Sequence, residues 1–499
     1  MKNEIHGLTR RDALKLSAGL ASGLSLGSLM GCSGKKTQPR NIIFLVTDGM
    51  SAGVPSLAEP FSQLVRGKET IWHQLSTNPK VTHGLFDMAS MDTLVTDSAA
   101  AASAWGSGQR VPNRVLNQYP DGVILKPLCP LLKEHGILTG LVTTSRMTHA
   151  TPAGLCASVP HRDYEDEIAP FYLNKVDVLL GGGSLHFDKD YRNDGRDLSG
   201  EFSEAGYTLV STRQELLQAS GRTKMLGLFF PDHLPYTIDH NQSKLMLESI
   251  PTLAEMTKVA LAGLSKNGRG FFLMVEAARV DHAAHANDGA GLLWEQLAFD
   301  DALAEARSFQ QNNPDTLLVI SSDHGNANPG LNGTGPAYTE STGFFDRLAE
   351  SKASYVKIKQ DLDTLLRTTK KLDASQVIKK IQTATGLVMN NAEAEVLIAT
   401  LMGKEIPEMA NQQKNFFAQL GQILGNWTGL GWTGVTHTAD WTLRMALGPG
   451  QEEFSGLLKN TDFFDRTLKL YGINFKNPDY VGKAPGALPE ARGKADPTG

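Results

Sequence analysis

Short apolar runs that end in polar or glycine residues alternate with stretches of helical pattern, and this alternation constrains the fold most. Continuous apolar runs are typical of buried strands in a parallel sheet that is covered on both faces. The runs occupy residues 41–48, 137–145, 176–184, 270–281 and 316–323. The clearest helical stretches between them are 243–266 and 291–311. This order predicts an α/β fold: a doubly wound, mostly parallel central sheet with helices on both faces.

Polar side chains that can carry chemistry follow several of these predicted strands. In a doubly wound sheet, ligands bind beyond the carboxyl ends of the strands, so these side chains are expected to meet on one rim. Any one of them could be an ordinary surface residue, but four strand ends of this kind are not expected by chance. The candidates are Asp48, His149, Thr151, Glu276, Asp281, His285, Asp323 and His324.

The candidate side chains divide into sets that suit metal ions. Asp281 and His285 are four residues apart, so on a helical turn they face the same way, and with His437 they suit zinc with an open coordination position. Asp48, Asp323 and His324 could hold a second zinc. The oxygens of Asp48, Glu276 and Thr151 suit magnesium. A paired-metal site fits in-line phosphoryl displacement, because it stabilises both the attacking and the leaving oxygen.

A serine and an arginine could complete such a site. The stretch LVTDSAAAASAWGSG, residues 94–108, places Ser98 before a run of small residues. Ser98 could be the N-cap of a helix or a nucleophile at a helix N-terminus. Arg162 could form a bidentate fork to two phosphate oxygens.

The N-terminal segment indicates export. Arg10 and Arg11 precede a short, weakly apolar stretch, which is similar to a twin-arginine signal, and residues 29–32 are similar to a lipobox ending in Cys32. We therefore expect 1–31 to be an export signal, Cys32 to carry a lipid anchor, and the mature protein to reach the periplasm or cell surface of a bacterium. The alternative is an ordinary cleaved signal peptide with a chance cysteine.

The remaining chain divides into a core, an insertion and a tail. Residues 32–40 are expected to be a linker, 41–329 and 430–475 the catalytic core, 330–429 a loop and helical insertion, and 476–499 a disordered tail. The net charge of −5 and the absence of a long basic run disfavour a nucleic-acid partner. Whether Cys129 and Cys156 form a disulfide is left open.

The ordered motifs of the core resemble those of the alkaline phosphatases. The matching segments are 41–51, 95–109, 143–163, 271–286, 320–326 and 436–439. The resemblance implies hydrolysis of small phosphate monoesters by a homodimer with two Zn²⁺ and one Mg²⁺. A phosphodiesterase or sulfatase of the same superfamily is the alternative.

The resemblance also assigns roles to individual residues. Ser98 becomes the nucleophile that forms phosphoserine, and Arg162 becomes the phosphate clamp. The first zinc, which activates the attacking water, is held by Asp281, His285 and His437. The second zinc, which activates Ser98 as a further ligand, is held by Asp48, Asp323 and His324. The magnesium is held by Asp48, Thr151 and Glu276.

Four positions depart from the common bacterial pattern or stay open. His149 and His282 stand where the most studied bacterial enzymes have aspartate and lysine and the animal enzymes have histidines, so the third site could hold magnesium or partly zinc. His149 could support that site or be structural, and His282 could contact phosphate or lie on the surface. Asn326 stands where the family usually has a histidine and is expected to support a ligand. Asp97 could cap the helix or orient Arg162.

Overall fold

The computed structural model describes residues 38–404 and 414–482. The predicted export signal, the lipobox and Cys32 lie outside these residues, so the structure does not bear on them. Within the described ranges, no helix is both long enough and apolar enough to cross a membrane.

The strands confirm each of the five predicted apolar runs and add others. In chain order they are β1 Asn41–Thr47, β2 Thr82–Asp87, β3 Leu138–Arg146, β4 Val178–Gly182, β5 Thr208–Val210, β6 Met225–Leu228, β7 Phe271–Ala277, β8 Thr316–Ser321, β9 Gly325–Asn326, β10 Gly330–Leu331, β11 Leu430–Gly431, β12 His437–Thr438, β13 Thr442–Leu447 and β14 Gly456–Lys459.

The strands form one large sheet and two small pairs. The sheet has ten strands in the order β14-β2-β13-β8-β1-β7-β3-β4-β6-β5. All neighbours pair in parallel except β13, which is antiparallel to both β2 and β8. The small pairs are β10 with β11 and β12 with β9. The mostly parallel sheet predicted from the sequence is confirmed.

Helices cover both faces of this sheet. They are α1 Gly53–Arg66, α2 Ile71–Ser76, α3 Ser98–Ser107, α4 Leu128–Glu134, α5 Ala150–Gly154, α6 Glu165–Ile168, α7 Leu198–Glu204, α8 Arg213–Gln218, α9 Thr237–Asn241, α10 Lys244–Ser249, α11 Leu253–Leu264, α12 Arg279–His285, α13 Gly289–Asn312, α14 Phe344–Ala349, α15 Tyr355–Thr369, α16 Ala374–Thr385, α17 Asn391–Leu401, α18 Phe416–Thr428 and α19 Asp462–Leu470. Short 3₁₀ turns occupy Ala169–Tyr172, Ser184–Phe187, Pro336–Tyr338, Ser341–Gly343 and Gln451–Phe454.

The central strand β1 shows why both faces are covered. Ile43 and Leu45 belong to one apolar cluster, whereas Ile42, Phe44 and Val46 belong to another. Because successive side chains of a strand point to opposite faces, these two clusters lie on the two sides of the sheet.

Two predicted elements have different bounds in the structure. The predicted helix 243–266 is two helices, α10 and α11, because Pro251 removes a backbone donor and pushes Ile250 into an extended conformation. The predicted strand 270–281 ends at Ala277, and α12 begins at Arg279. The apolar residues of α12 continue the run in sequence, so periodicity alone could not place the boundary.

The predicted insertion has two parts. Its first helix, α14, contributes Phe345 and Leu348 to one of the main apolar clusters. Helices α15 to α18 instead bury a cluster of their own, which includes Ile358, Leu362 and Leu420. The insertion is therefore helical, as expected, and carries a separate small core.

The first residues of the predicted disordered tail, 476–482, are ordered in the structure. Asn477 is buried, and its side chain bonds to the backbone of Lys126 and Ser107. Tyr480 packs on the ring of Tyr119 at 5.0 Å between centroids. Residues 476–482 therefore pack on the core, because their polar groups find buried partners there, and 483–499 lie outside the described residues. Cys129 and Cys156 are buried free thiols.

Candidate active site

The four central parallel strands bring most of the candidate residues to one rim. Strands β8, β1, β7 and β3 are neighbours, and in their register Val46 lies between Glu276 and Ser321. Their carboxyl ends therefore lie side by side, and the segments that follow them carry the chemistry. In the structure these segments contribute Asp48, Thr151, Asp281 and Asp323, all of them buried.

One group of histidines surrounds Asp281. His285 Nε2 is 3.3 Å from Asp281 Oδ2, and His437 Nε2 is 3.6 Å from Asp281 Oδ1. The rings of His324 and His437 stack with centroids 3.6 Å apart. His437 reaches this position because β12 pairs with β9, which places His437 opposite Asn326. The Asn326 amide donates to Asp281 Oδ1 at 2.6 Å.

The backbone fixes the tautomers of two of these histidines. His285 Nδ1 lies 2.6 Å from the carbonyl of Val435, and His437 Nδ1 lies 2.8 Å from the carbonyl of Thr96. A carbonyl can only accept, so each Nδ1 carries a hydrogen, and in the neutral form of each ring Nε2 holds the lone pair that can bind a metal. The two Nε2 atoms are 3.1 Å apart. At this distance a cation, either a shared proton or a metal ion, is required between the two Nε2 atoms, and the Asp281 carboxylate beside them favours it.

A second group lies around Asp48. Its carboxylate is fully buried, and neither oxygen has a hydrogen-bond donor within the part of the chain that the structure describes. His324 Nε2 is 3.5 Å from Asp48 Oδ1 and 3.1 Å from Asp323 Oδ2. Glu276 accepts a hydrogen bond from Thr143 at 2.5 Å, and the Thr151 hydroxyl also lies close enough to lower its pKa.

Three sets of side chains place one ligand atom each within 4.8 Å of one another. They are Asp281, His324 and His437; Asp48, Asp323 and His324; and Asp48, His149 and Glu276. These sets overlap the three predicted from the sequence: the first has His324 where the sequence predicts His285, the second is as predicted, and the third adds His149 to Asp48 and Glu276. The donor chemistry fits a metal at each: nitrogen and carboxylate suit zinc in the first two sets, and the two carboxylates and one imidazole of the third fit either magnesium or zinc.

The buried carboxylates have strongly shifted pKa values. Burial raises the pKa of Asp48 well above its ordinary value, and Asp323, Asp281 and Glu276 raise it further by charge repulsion. Burial also raises the pKa of Glu276, to about 7. For Asp281 burial acts in the same direction, but His285 and His437 outweigh it and hold the pKa well below its ordinary value. A cation would relieve the repulsion among these groups.

Ser98 stands at the first position of α3, beside this cluster. Its Oγ is 3.2 Å from His324 Nε2, and the residue is 1% exposed. The N-cap of α3 is Asp97, whose Oδ1 accepts from the amide of Ala100 at 2.9 Å, so the N-cap interpretation of Ser98 is wrong. Asp97 has a β-region backbone, and its carboxylate accepts from the amide of the third residue of the helix, as an N-cap side chain does.

Close packing holds α3 in place against α5. A Cβ added at Gly106 would collide with the carbonyl of Gly154, and one added at Gly154 would collide with Ala102. Trp105 packs its edge on Phe44 of the sheet at 4.8 Å. The run of small residues after Ser98 thus lets α3 approach the short helix that carries Thr151.

Asp97 also orients the predicted phosphate clamp. Arg162 is buried; its Nη1 donates to Asp97 Oδ2 at 3.2 Å and its Nη2 to His149 Nε2 at 3.0 Å. Both interpretations of Asp97 therefore hold, one for each carboxylate oxygen. Burial acts to lower the pKa of Arg162, but Asp97 outweighs it and raises the pKa, so the guanidinium stays charged.

His282 lies in a cluster of histidine rings. The surface interpretation is wrong, because His282 is 2% exposed and its ring lies 4.5 Å from His233 and 5.7 Å from His149. Its Nδ1 accepts from Arg279 Nη1 at 2.8 Å. Burial lowers its pKa well below the ordinary value, with His233 and Arg279 adding to the effect. The sequence alone offers no context for His233 and does not single out Arg279, because the segment carrying His233 is far away along the chain.

Comparison with known proteins decides the family. The family profile described as alkaline phosphatase matches residues 39–472. The chain belongs to the alkaline phosphatase family. It is therefore a phosphoric monoester hydrolase, and the resemblance seen in the sequence motifs is confirmed.

Individual relatives agree with this membership. Alkaline phosphatase 4 of Bacillus subtilis is 31% identical over 475 residues, which cover 91% of this chain and 94% of that protein. The crystal structure of Thermus thermophilus alkaline phosphatase superposes with a TM-score of 0.81 at 33% identity, covering 91% of this chain and 98% of that one. A cold-active alkaline phosphatase from a Shewanella species superposes with a TM-score of 0.71 at 25% identity, covering 86% and 99%.

Proposed function

We propose that this enzyme hydrolyses small phosphate monoesters through a phosphoserine intermediate at Ser98, at a site with two zinc ions and one magnesium ion. The observation that carries the proposal is that Ser98 Oγ lies 3.2 Å from Nε2 of His324, a residue that belongs to two of the three ligand sets. The sheet rim supplies every residue type that the chemistry needs.

Each proposed metal set keeps the residues expected from the sequence. Asp281, His285 and His437 hold one zinc; Asp48, Asp323 and His324 hold the other; Asp48, Thr151 and Glu276 hold magnesium. Bound metals would stabilise negative charge on the phosphoryl oxygens and on the nucleophile as Lewis acids.

The side chains of the chain itself supply binding and orientation. Arg162 offers two N–H groups that match two phosphate oxygens, and its contacts with Asp97 and His149 fix the plane of the guanidinium. The N-terminus of α3 adds free backbone N–H groups and the positive end of the helix dipole next to Ser98. His282 receives a hydrogen bond at Nδ1, so its neutral tautomer presents Nε2–H as a donor toward the phosphate.

A comparison of three nitrophenyl esters tests the reaction class. We expect the zinc-loaded protein to hydrolyse p-nitrophenyl phosphate much faster than bis(p-nitrophenyl) phosphate or p-nitrophenyl sulfate, and a chelator to abolish that activity. Faster turnover of the bis ester or the sulfate would favour the alternative, a phosphodiesterase or sulfatase. Monoesterase activity that resists complete metal removal would contradict the metal site.

Export, the anchor at Cys32, the homodimer and the absence of a nucleic-acid role are further parts of this proposal. A fractionated culture should contain the protein in the periplasm or on the cell surface, with a lipid that the Cys32→Ala variant lacks. Light scattering should give the mass of two chains, and added DNA should leave both the mass and the activity unchanged. Cytoplasmic retention, a monomer mass or stable DNA binding would each contradict the corresponding part.

A further inference from the structure

Arg279, at the start of α12, holds one nitrogen of the His282 ring. Its Nη1 donates to His282 Nδ1 at 2.8 Å. The two residues are three apart, so on a helix their side chains lie on the same face. Both are buried, with exposed fractions of 8% for Arg279 and 2% for His282. Arg279 is therefore the residue that makes Nδ1 of His282 an acceptor.

The other nitrogen of the His282 ring is without a partner. His282 Nε2 is buried, and within residues 38–404 and 414–482 no group forms a hydrogen bond with it. A neutral imidazole has one donor and one acceptor, so a ring that accepts at Nδ1 carries its hydrogen at Nε2. A buried N–H without an acceptor costs free energy. The ring lies 5.7 Å from that of His149, which contacts the Arg162 guanidinium, so a phosphate held by Arg162 is the acceptor that we expect for this N–H.

The surroundings of Arg279 hold its guanidinium in a fixed plane. The guanidinium carbon lies 3.9 Å from the centroid of the Tyr236 ring, and such stacking suits the flat guanidinium. Burial raises the pKa of Asp239, and that of Glu295 to about 7, and the positive charge of Arg279 opposes the rise at both. Two carboxyl groups therefore lie within electrostatic range of Arg279 and attract it to this position.

Loss of the contact with Arg279 would change what His282 presents to the phosphate. Without a donor at Nδ1, the neutral ring can carry its hydrogen on either nitrogen. The tautomer with the hydrogen at Nδ1 has a lone pair at Nε2, and a lone pair repels a phosphate oxygen instead of donating to it. The ring would also lose the contact that sets its rotation.

We propose that Arg279 is a positioning residue for the reaction, which holds His282 in the orientation and tautomer that donate Nε2–H to the substrate phosphate. This inference rests on the proposed monoesterase function. Arg162 binds the phosphate directly, whereas Arg279 acts only through His282. The effect of Arg279 on the reaction should therefore depend on the presence of the His282 ring.

A double-mutant cycle between the two residues tests this dependence. The probe is p-nitrophenyl phosphate, and kcat/KM is measured in the metal-loaded enzyme, in Arg279→Met, in His282→Ala and in the double variant. A parallel cycle uses Arg279→Lys, which keeps a donor and a charge, so a folding defect of the methionine variant leaves the test intact. Arg307→Met is the matched control, because Arg307 is a half-buried arginine of α13 that donates to Gln74 instead.

We expect Arg279→Met to lower kcat/KM by roughly two- to tenfold, the net contribution of one hydrogen bond, and Arg279→Lys to lower it less. His282→Ala should also lower kcat/KM, and in that background neither substitution of Arg279 should change it further. Arg307→Met should keep the wild-type kcat/KM, and the zinc content should be the same in all variants.

An equal loss from Arg279→Met with and without the His282 ring would overturn the inference, because Arg279 would then act on the fold or on the metal site at Asp281. A wild-type kcat/KM in Arg279→Met or in His282→Ala would overturn it as well. Failure of the unaltered enzyme to hydrolyse p-nitrophenyl phosphate would instead contradict the proposed function, on which the inference depends.

Discussion

The sheet rim and the helical insertion are built on opposite principles. The rim buries ionisable groups completely, among them Asp48, Glu276, Asp323 and His324, at the ends of neighbouring strands. Such burial costs stability unless the charges are compensated. Helices α15 to α18 instead bury aliphatic side chains in a small core, and their charges are at the surface. The rim concentrates ionisable groups, whereas the insertion is stabilised by an apolar core. We therefore expect mutations in the rim to change the reaction rate and mutations in the insertion to change stability.

Buried carboxylates connect the two regions. Asp288, at the N-cap of α13, accepts from the amide of Gly291 at 2.9 Å and from the amide of Tyr355 at 2.7 Å. Asp239 accepts from Ser354 in the same way. The start of α15 is therefore held to the core by hydrogen bonds to two buried carboxyl groups. Rim variants should change the rate, and variants of these contacts should change stability.

Removal of the nucleophile should have the largest effect. Ser98→Ala should lower kcat by at least ~10³-fold, because the attacking oxygen is lost while binding is kept. Intact-mass measurement at acidic pH should detect no phosphorylated protein, although metal content and thermal stability are unchanged. Ser107→Ala on the same helix is the matched control and should keep its activity. A phosphorylated Ser98→Ala protein would show that another residue is the nucleophile.

Removal of the phosphate clamp should have the next largest effect. Arg162→Ala should lower kcat/KM for p-nitrophenyl phosphate by ~10–100-fold, since hydrogen bonds to a charged group contribute about 1.5–3 kcal/mol each. Steady-state kinetics and inhibition by inorganic phosphate measure the loss. Arg114 is the control, because its guanidinium pairs with Asp163 instead. Equal losses in Arg114→Ala and Arg162→Ala would contradict the assignment of the clamp to Arg162.

Asp288 should make stability depend on pH without changing turnover. Burial raises its pKa from 3.8 to about 7. Between these pH values Asp288 is protonated in the folded state and ionised in the unfolded state. The contribution of Asp288 to the free energy of unfolding is therefore complete below pH ~4 and is lost as the pH rises through ~7. Its size is at most about 4 kcal/mol. Urea unfolding across this pH range should show that the free energy of unfolding falls less with rising pH in Asp288→Asn than in the wild type.

The ionisable groups of the rim titrate in both the wild type and Asp288→Asn. Their effect on stability therefore cancels when the two proteins are compared. Turnover above pH 7 should be the same in both. Parallel stability curves, or a large loss of turnover in Asp288→Asn, would contradict a purely structural role for Asp288.

Loss of the Ser354 hydroxyl should have the smallest effect. The hydroxyl donates to Asp239 and caps α15 by accepting from Lys357, so Ser354→Ala should destabilise the protein by about 1–2 kcal/mol. Thermal unfolding measures this, with turnover of p-nitrophenyl phosphate unchanged. Ser375→Ala, which removes an exposed hydroxyl of the same insertion, should cost less than about 0.5 kcal/mol. An equal loss of unfolding free energy in Ser354→Ala and Ser375→Ala would show that the contact between Ser354 and Asp239 does not hold the insertion to the core.

The sequence predicted the rim better than the insertion for a physical reason. Metal and phosphate chemistry restrict residue type and position, so Asp48, Ser98 and His437 can be recognised from the sequence alone. Many amphipathic sequences can form a small helical core, so the pattern of residues 330–429 predicted helices but not which helices pack together. The sequence did not identify His233 and Arg279 as candidates. Their position beside His282 depends on which distant segments of the chain come together, and local sequence patterns do not show this.

The sequence did not show where some strands end, and it did not predict the short strands. The apolar run through β7 continues into α12, and only the fold shows that the strand ends at Ala277. The short strands β2, β5, β6 and β14 lie toward the edges of the sheet, where alternation is weak and the runs are brief. The central strands β1, β3, β7 and β8 were predicted because they are buried on both faces.

Anomalous diffraction at the zinc edge tests the central claim most directly. Crystals of the zinc- and magnesium-loaded enzyme should show two zinc peaks ~3.5–4 Å apart. One should lie between His285 and His437, and the other between Asp323 and Ser98. No zinc peak at this rim, or a single peak away from Ser98, would contradict the proposed site.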